Sequence, residues 1–359
     1  MSGPVASDPG TDSGDRRFDA FLLLGFGGPE APEEVLPFLR TVTAGRGVPD
    51  ERLAEVAEHY HHFGGVSPIN AQNRALLAAL GDEFAAAGIE LPLYWGNRNS
   101  APWLGDEVAR MRADGVRRAL VLATSATGGY SGCRQYRENL IDARESVGAG
   151  APEMVKLRHF FNHPAFIEAN ADRLRTALED LPGEVRATTR LVFTAHSVPS
   201  GADAAAGPDG HLYSTQQRET ARLVAEAVRG PGAAFDLVWQ SRSGPPQVPW
   251  LEPDVNDHLR ALAAAGVTDV VLAPTGFVSD HLEVLWDLDN EARETAAEVG
   301  VRMVRAPTAG THPAFLAMVV ELVRERLDGA ASRSSGAMGP SWDTCPWDRG
   351  CCQPARRPA

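Results

Sequence analysis

The sequence predicts an α/β protein of two similar Rossmann-like domains, each a parallel sheet flanked by helices, with a cleft between them. Three observations carry this expectation. Short apolar runs alternate with amphipathic segments of ten or more residues, the pattern of strand–helix–strand crossovers and therefore of parallel sheets. Two stretches echo one another at a similar offset: GVRRALVLATSATG at 115–128 resembles GVTDVVLAPTGFVS at 266–279, and LLLGFGGP at 22–29 resembles VFTAHSVP at 192–199. Such echoes indicate related halves. The chain has 359 residues, 43 % hydrophobic and 23 % charged, enough apolar mass for two cores.

Residues 1–17 are Gly, Ser, Pro and Asp with little apolar content and read as disordered. FLLLG at 21–25 reads as a buried parallel strand entering the Gly-Gly-Pro turn at 27–29. Further strands are expected near 91–96, 118–124, 190–196, 235–241 and 269–275. Helices are expected near 51–62, 71–87, 104–113, 165–179, 214–228, 255–265 and 281–298. The first domain then spans 18–183 and the second 184–311, dividing at Leu181-Pro182-Gly183. A last helix covers 312–328. Residues 329–359 form a flexible linker of small residues and a tail carrying Cys345, Cys351 and Cys352.

Charge and cysteine usage exclude several classes. Acids outnumber bases 47 to 34, a net charge of −13, which argues against a general nucleic-acid binder. No apolar run approaches about 18 residues and no signal-peptide pattern opens the chain, so a cytoplasmic protein without integral membrane contact is expected. Cys133 and the three tail cysteines are too few for an extracellular disulfide framework. They read as a metal or cluster set, or as unconnected thiols.

Ligands of open α/β sheets sit outside the carboxyl ends of the strands. This draws attention to Phe26-Gly27-Gly28, Thr124-Ser125, His196-Ser197 and 276–283. GFGGPE has the wrong spacing for a dinucleotide loop and reads as a tight turn. His196 is either a satisfied strand-end histidine or a proton acceptor. In SDHLEVLWDLDNEARETAAE (279–298), Asp280 and Glu283 fit a capping box, a purely structural role. Leu285, Leu288, Ala292 and Ala296 are expected to form the buried stripe. Glu283, Asp287 and Glu291 recur at i, i+4 and i+8, each about 6 Å further along a regular helix. That face is either a solvated acidic surface or a track for a divalent cation.

TAHSVP (194–199), WQSRSGP…PWLEPD (239–254) and GFVSDHLEVLWDLDNE (276–291), with LLLGFGGP and HFGGVSPIN (62–70) before them, resemble the ferrochelatase family over about residues 18–328. Within it the sequence is most similar to the actinobacterial-type coproporphyrin ferrochelatases, some of which carry a 2Fe–2S cluster. The resemblance implies insertion of ferrous iron into a free-base porphyrin in heme biosynthesis, with release of two protons. It implies His196 and Glu283 as the catalytic pair, with Asp287 and Glu291 continuing a path for metal or protons. Phe26, Arg46, Tyr60, Ser67, Arg98, Thr124 and Ser125 are the expected porphyrin pocket. Many relatives have tyrosine where Phe26 stands; phenylalanine has no oxygen and cannot ligate iron. Cys133, Cys345, Cys351 and Cys352 match the cluster ligands of those relatives, with zinc as the other candidate occupant. The region 29–47 carries acids and arginines among its apolar residues and does not read as a membrane dock, which favours coproporphyrin III. The alternatives are a protoporphyrin IX ferrochelatase, a cobalt or nickel chelatase, and a tetrapyrrole carrier without turnover. The implied partners are the porphyrin, ferrous iron and a handover partner in the heme pathway.

Overall fold

A computed structural model describes residues 17–244, 247–341 and 352. The segment 1–16 and the cysteines Cys345 and Cys351 lie outside the described residues.

The first sheet contains β1 (Ala20–Gly25), β2 (Leu93–Asn97), β3 (Arg118–Ala123) and β4 (Glu153–Lys156) in the order β2-β1-β3-β4. The second contains β5 (Arg190–His196), β6 (Asp236–Gln240), β7 (Asp269–Ala273) and β8 (Arg302–Arg305) in the order β6-β5-β7-β8. All pairings are parallel, and the second sheet repeats the first strand for strand. The echoes noted in the sequence fall on β1 and β5 and on β3 and β7. The central strands β1 and β5 are buried along nearly their whole length, as continuous apolar runs in a doubly covered sheet must be. The edge strands β4 and β8 were not foreseen. Each has only four residues with charged ends, so neither presents an apolar run.

Helices cover both faces. Phe21 packs edge-on against Phe84 at 5.1 Å, joining β1 to the helix Ile69–Ala86. The C-terminal helix Pro313–Leu327 returns to the first sheet's core, where Phe315 lies 5.8 Å from Phe160 and 6.2 Å from Phe166. The turn after β1 is tied to the loop after β2, where Gly28 N donates to Ser100 Oγ at 3.0 Å. A Cβ on Gly25 would stand 2.5 Å from Asn97 Oδ1, so only glycine fits there.

The segment read as a free linker is attached to the body. Arg158 Nη2 donates to Arg333 O (2.9 Å), and Asn162 Nδ2 donates to Ser335 O (3.2 Å) and Gly339 O (2.7 Å). Ser341 Oγ donates to His159 O at 2.8 Å. Beneath this strap, Arg158 makes a two-pronged ion pair with Glu325, both bonds 2.8 Å, with side chains only 1 % and 6 % exposed. Composition alone hides these contacts, because the strap's oxygens that accept them are mostly backbone carbonyls.

Candidate active site

β5 delivers His196 to the carboxyl edge of the second sheet. Its Nδ1 lies 2.5 Å from Ser197 O, so Nδ1 carries the proton and Nε2 is left as the basic nitrogen. Tyr213 OH donates to the His196 carbonyl at 2.8 Å and fixes the strand end. Nε2 stands 3.7 Å from Glu283 Oε1, with the two side chains 35 % and 40 % exposed, so the pair is open on one side. Burial pulls the imidazole pKa down most strongly, but the charge and hydrogen bond of Glu283, the Ser197 carbonyl and Asp287 together outweigh it, and the net direction is upward. Burial likewise pushes Glu283 up, and His196, with His281 and His59, more than reverses this.

The helix carrying Glu283 departs from the expected regular form. Leu282–Val284 is one short turn, Leu285–Glu291 is a π-helix, and Ala292–Glu298 resumes the α-helix. The capping box does not form. His281 occupies the N-cap without a side-chain cap bond, Asp280 Oδ1 accepts from Arg305, and Glu283 faces His196. The even 6 Å spacing of a straight α-helix gives way to the wider π turn, a form concentrated at functional sites.

Asp287 is buried and accepts from Gln240 Nε2 at 3.2 Å and from Ser241 Oγ. Ser241 adopts φ +62°, an uncommon conformation for a residue with a side chain. Burial and then the neighbouring Glu283 push the Asp287 carboxyl up to about 7. Glu291 is partly exposed, further along the π-helix. Trp286 points to the first half, where the His59 ring stacks on it at 3.9 Å and 7°, and His62 meets it edge-on at 5.5 Å.

The helix Asp50–His62 also brings Tyr60 to the carboxylates. Burial, then Glu283 and Asp287, raise the tyrosine pKa and keep its hydroxyl protonated. Tyr60 lies 6.0 Å from Phe38, which lies 6.3 Å from Phe26, so an aromatic row leads from the β1 turn to Glu283. The Arg98 guanidinium sits over Phe26 at 5.5 Å and over Tyr136 at 4.7 Å. Ser67 is buried against Gly28, and Thr124 N donates to Leu24 O at 3.1 Å at the end of β3. Ser125 faces Gly132, beside Cys133. Arg46 is exposed and is felt by the Tyr130 hydroxyl. Thus Phe26, Tyr60 and Arg98 gather beside the His196–Glu283 pair or along the row leading to it. Ser67, Thr124, Ser125 and Arg46 belong to first-half loops, and of these Ser67 reaches the β1 turn where the row begins.

Cys133 is buried in the π turn Tyr130–Arg134 and hydrogen-bonds the His159 side chain. Cys352 is buried as well. The sequence reading missed Tyr213, Gln240, Ser241, His59, Trp286 and Arg305. Gln240 and Ser241 lay inside the WQS motif, and the HYHH run could have flagged His59; Tyr213 and Arg305 had no local signal.

A duplicated α/β topology with a base–carboxylate pair at the sheet edge defines a chelatase-type protein. In fold, the chain is similar to SirB from Bacillus subtilis solved with Fe3+ (TM-score 0.50, 14 % identity, 87 % of this chain and 97 % of that one). It is also similar to DR2241 from Deinococcus radiodurans, described as having structural similarity to chelatases (TM-score 0.51, 17 % identity, 88 % of this chain and 56 % of that one). Residues 18–327 match the family Ferrochelatase, and the chain belongs to that family. Similar relatives are the coproporphyrin III ferrochelatases of Nocardia farcinica (60 % identity, 95 % of this chain and 98 % of the relative) and Streptomyces griseus (53 %, 95 % and 94 %). A third, from Mycolicibacterium vanbaalenii, is 55 % identical over 90 % of this chain and 95 % of its own.

Proposed function

We propose that this chain inserts ferrous iron into coproporphyrin III, producing iron–coproporphyrin and two protons. The identity to the coproporphyrin III ferrochelatases, 53–60 % over nearly the whole chain, supports the substrate. The single observation that carries the mechanism is His196 Nε2 facing Glu283 at 3.7 Å. Iron replaces two pyrrole protons without a change of oxidation state, so the protein must accept protons and guide a cation. Neutral His196 takes a pyrrole proton at Nε2, and the Glu283 carboxylate stabilises the imidazolium that results. Asp287, near 7, can bind or release a proton at neutral pH and passes charge onward to Glu291. The same carboxylate oxygens suit a hydrated divalent cation on its way in. Tyr60, Phe26 and Phe38 offer an apolar flank to the macrocycle.

Coproporphyrin carries four propionates and protoporphyrin two. Arg98, whose guanidinium lies over the Phe26 and Tyr136 rings, and exposed Arg46 are the carboxylate partners we assign, with Ser67, Thr124 and Ser125 as further pocket residues. Among the described residues no helix is long and apolar enough to cross a membrane. The sparse cysteines support a cytoplasmic setting.

We further assign a 2Fe–2S cluster to Cys133, Cys345, Cys351 and Cys352, with zinc as the rival occupant. What supports this reading is the setting of the two described cysteines. Cys133 and Cys352 are both buried, and the strap bonds Ser341 to His159, whose side chain bonds Cys133. Four residues further lies Cys345, a reach of at most about 14 Å. When bound, the cluster would supply a one-electron couple and a tie between tail and body.

Purified protein mixed anaerobically with ferrous iron and coproporphyrin III, protoporphyrin IX or sirohydrochlorin, followed by absorption, tests the reaction. Fastest metallation of coproporphyrin III is expected; binding without metallation would make the chain a carrier. Iron and acid-labile sulfide assays on the isolated protein test the cluster.

A further inference from the structure

We infer that Arg305 is a positioning residue for the carboxylate stripe: by bonding Asp280 and Asp289 with one guanidinium, it sets the register of the π-helix that carries Asp287 and Glu291. This rests on reading the stripe as the path for iron and protons.

Arg305 is the last residue of β8, and its side chain is mostly buried. Nε and Nη2 donate to the two oxygens of Asp289, both at 2.8 Å, and Nη1 donates to Asp280 Oδ1 at 3.0 Å. Asp280 lies three residues before Glu283, and Asp289 lies between Asp287 and Glu291. One planar group therefore spans the segment from its entry to the middle of its π turns. The entry is fixed from the other side too, because Asp280 N donates to Gln72 Oε1 at 2.9 Å.

A π-helix is rare and is used in short pieces, so contacts from neighbouring elements can tip a segment into it. The local sequence asks for the ordinary form, with apolar residues at helical spacing through 285, 288, 292 and 296. A turn that takes one extra residue leaves the chain rotated by about 100° relative to an uninterrupted α-helix. In that uninterrupted form the face presented after the extra residue would shift relative to the entry, so Asp280 and Asp289 would no longer converge on Arg305. The forked, bidentate contact selects the wider turn, which lysine's single ammonium cannot do in the same way.

The test uses Arg305→Lys and Asp289→Asn in the full chain. Steady-state kinetics would vary iron and coproporphyrin III separately, beside thermal melts and hydrogen–deuterium exchange of residues 285–291. Both variants should raise the KM for iron or lower kcat at least fivefold, leave the KM for porphyrin within twofold, and exchange faster across 285–291. Folded variants with unchanged exchange there, or with faster exchange but iron KM and kcat both within twofold of the parent, would overturn the inference and leave a merely structural bridge. Should Arg305→Lys not fold, Asp289→Asn, which keeps the Asp280 contact, decides by the same criteria. If the unmodified chain metallates no porphyrin, the functional reading fails, and the exchange data alone decide whether Arg305 sets the register.

Discussion

His196 Nε2 lies 3.7 Å from Glu283 Oε1, while the opposite ring nitrogen is held 2.5 Å from the Ser197 carbonyl. The two contacts together fix both the tautomer and the aim of the imidazole. Its free nitrogen points to Glu283, whose charge, together with that of Asp287, favours the protonated ring.

Turnover should therefore rise with pH through an ionisation above the ordinary histidine value of 6.5, because only neutral His196 accepts a proton. Glu283→Gln removes the charge that raises it, so the rise should move to lower pH while the plateau falls. His196→Ala should lower kcat by about 10²–10⁴ with porphyrin binding intact. Near-normal turnover by that variant would remove His196 from the mechanism.

The same pair gives stability a pH window. A raised histidine stabilises below its unfolded value near 6.5, and that contribution disappears as pH climbs through the folded pKa. A lowered carboxylate stabilises above its unfolded value near 4.5, and that contribution disappears as pH drops through the folded pKa. The contribution should thus be complete between about 4.5 and 6.5. Melts of parent and Glu283→Gln across pH 3–9 should differ most there.

Asp287 runs the opposite way. Its carboxyl is raised from 3.8 to about 7, so ionising it in the fold costs stability as pH rises from about 4 to 7. Asp287→Asn should stabilise the protein at pH 8 by a few kcal/mol at most, with the gain vanishing near pH 4. Activity should fall in the same variant, more than in Glu291→Gln and less than in Glu283→Gln. A melting temperature lower than the parent's at pH 8 would contradict the burial argument.

Coproporphyrin III should be preferred over protoporphyrin IX in kcat/KM under matched detergent. Arg46→Ala should raise the coproporphyrin KM up to about fivefold, the worth of an exposed carboxylate pair near 1 kcal/mol. Equal KM values for the two porphyrins in parent and variant would dismiss Arg46 as a propionate partner.

Asn162 is fully buried and donates twice to the strap. Asn162→Ala should cost about 1–3 kcal/mol by stranding those carbonyls. If the tail cysteines hold a cluster, the variant should also lose its visible absorption faster on dilution with chelator. An unchanged melt would mean that the strap contributes nothing.

Much of this architecture was legible because parallel sheets announce themselves. FLLL, LVF and VVLA are apolar runs at the hearts of three strands, and the two echoes mark the duplicated topology. The edge strands β4 and β8 escaped, since Arg302 and Arg305 at the ends of a four-residue strand look like loop. The stripe Glu283–Asp287–Glu291 could be seen as a pattern, but its π form could not. That form depends on Arg305, Asp280 and Asp289 meeting in space, and no spacing along the chain encodes the meeting. Asp203 with His211 and Ser214 makes the same point, a buried carboxylate clasped by two partners across a loop. Tyr213 reaches the His196 carbonyl only because helix Leu212–Arg229 folds back over β5.

The strap has a consequence in time. Asn162 and Gly339, which it joins, are 177 residues apart, and Arg158 waits 167 residues for Glu325. At about 5–20 residues per second, a ribosome needs about 9–35 s to make the intervening 177. Throughout that interval a nascent first half holds an unburied guanidinium and a polar loop with nothing to cover it. Closure over Arg158 and Asn162 accordingly waits for residues 333–341, and it distinguishes a chain translated through residue 341 from any shorter one.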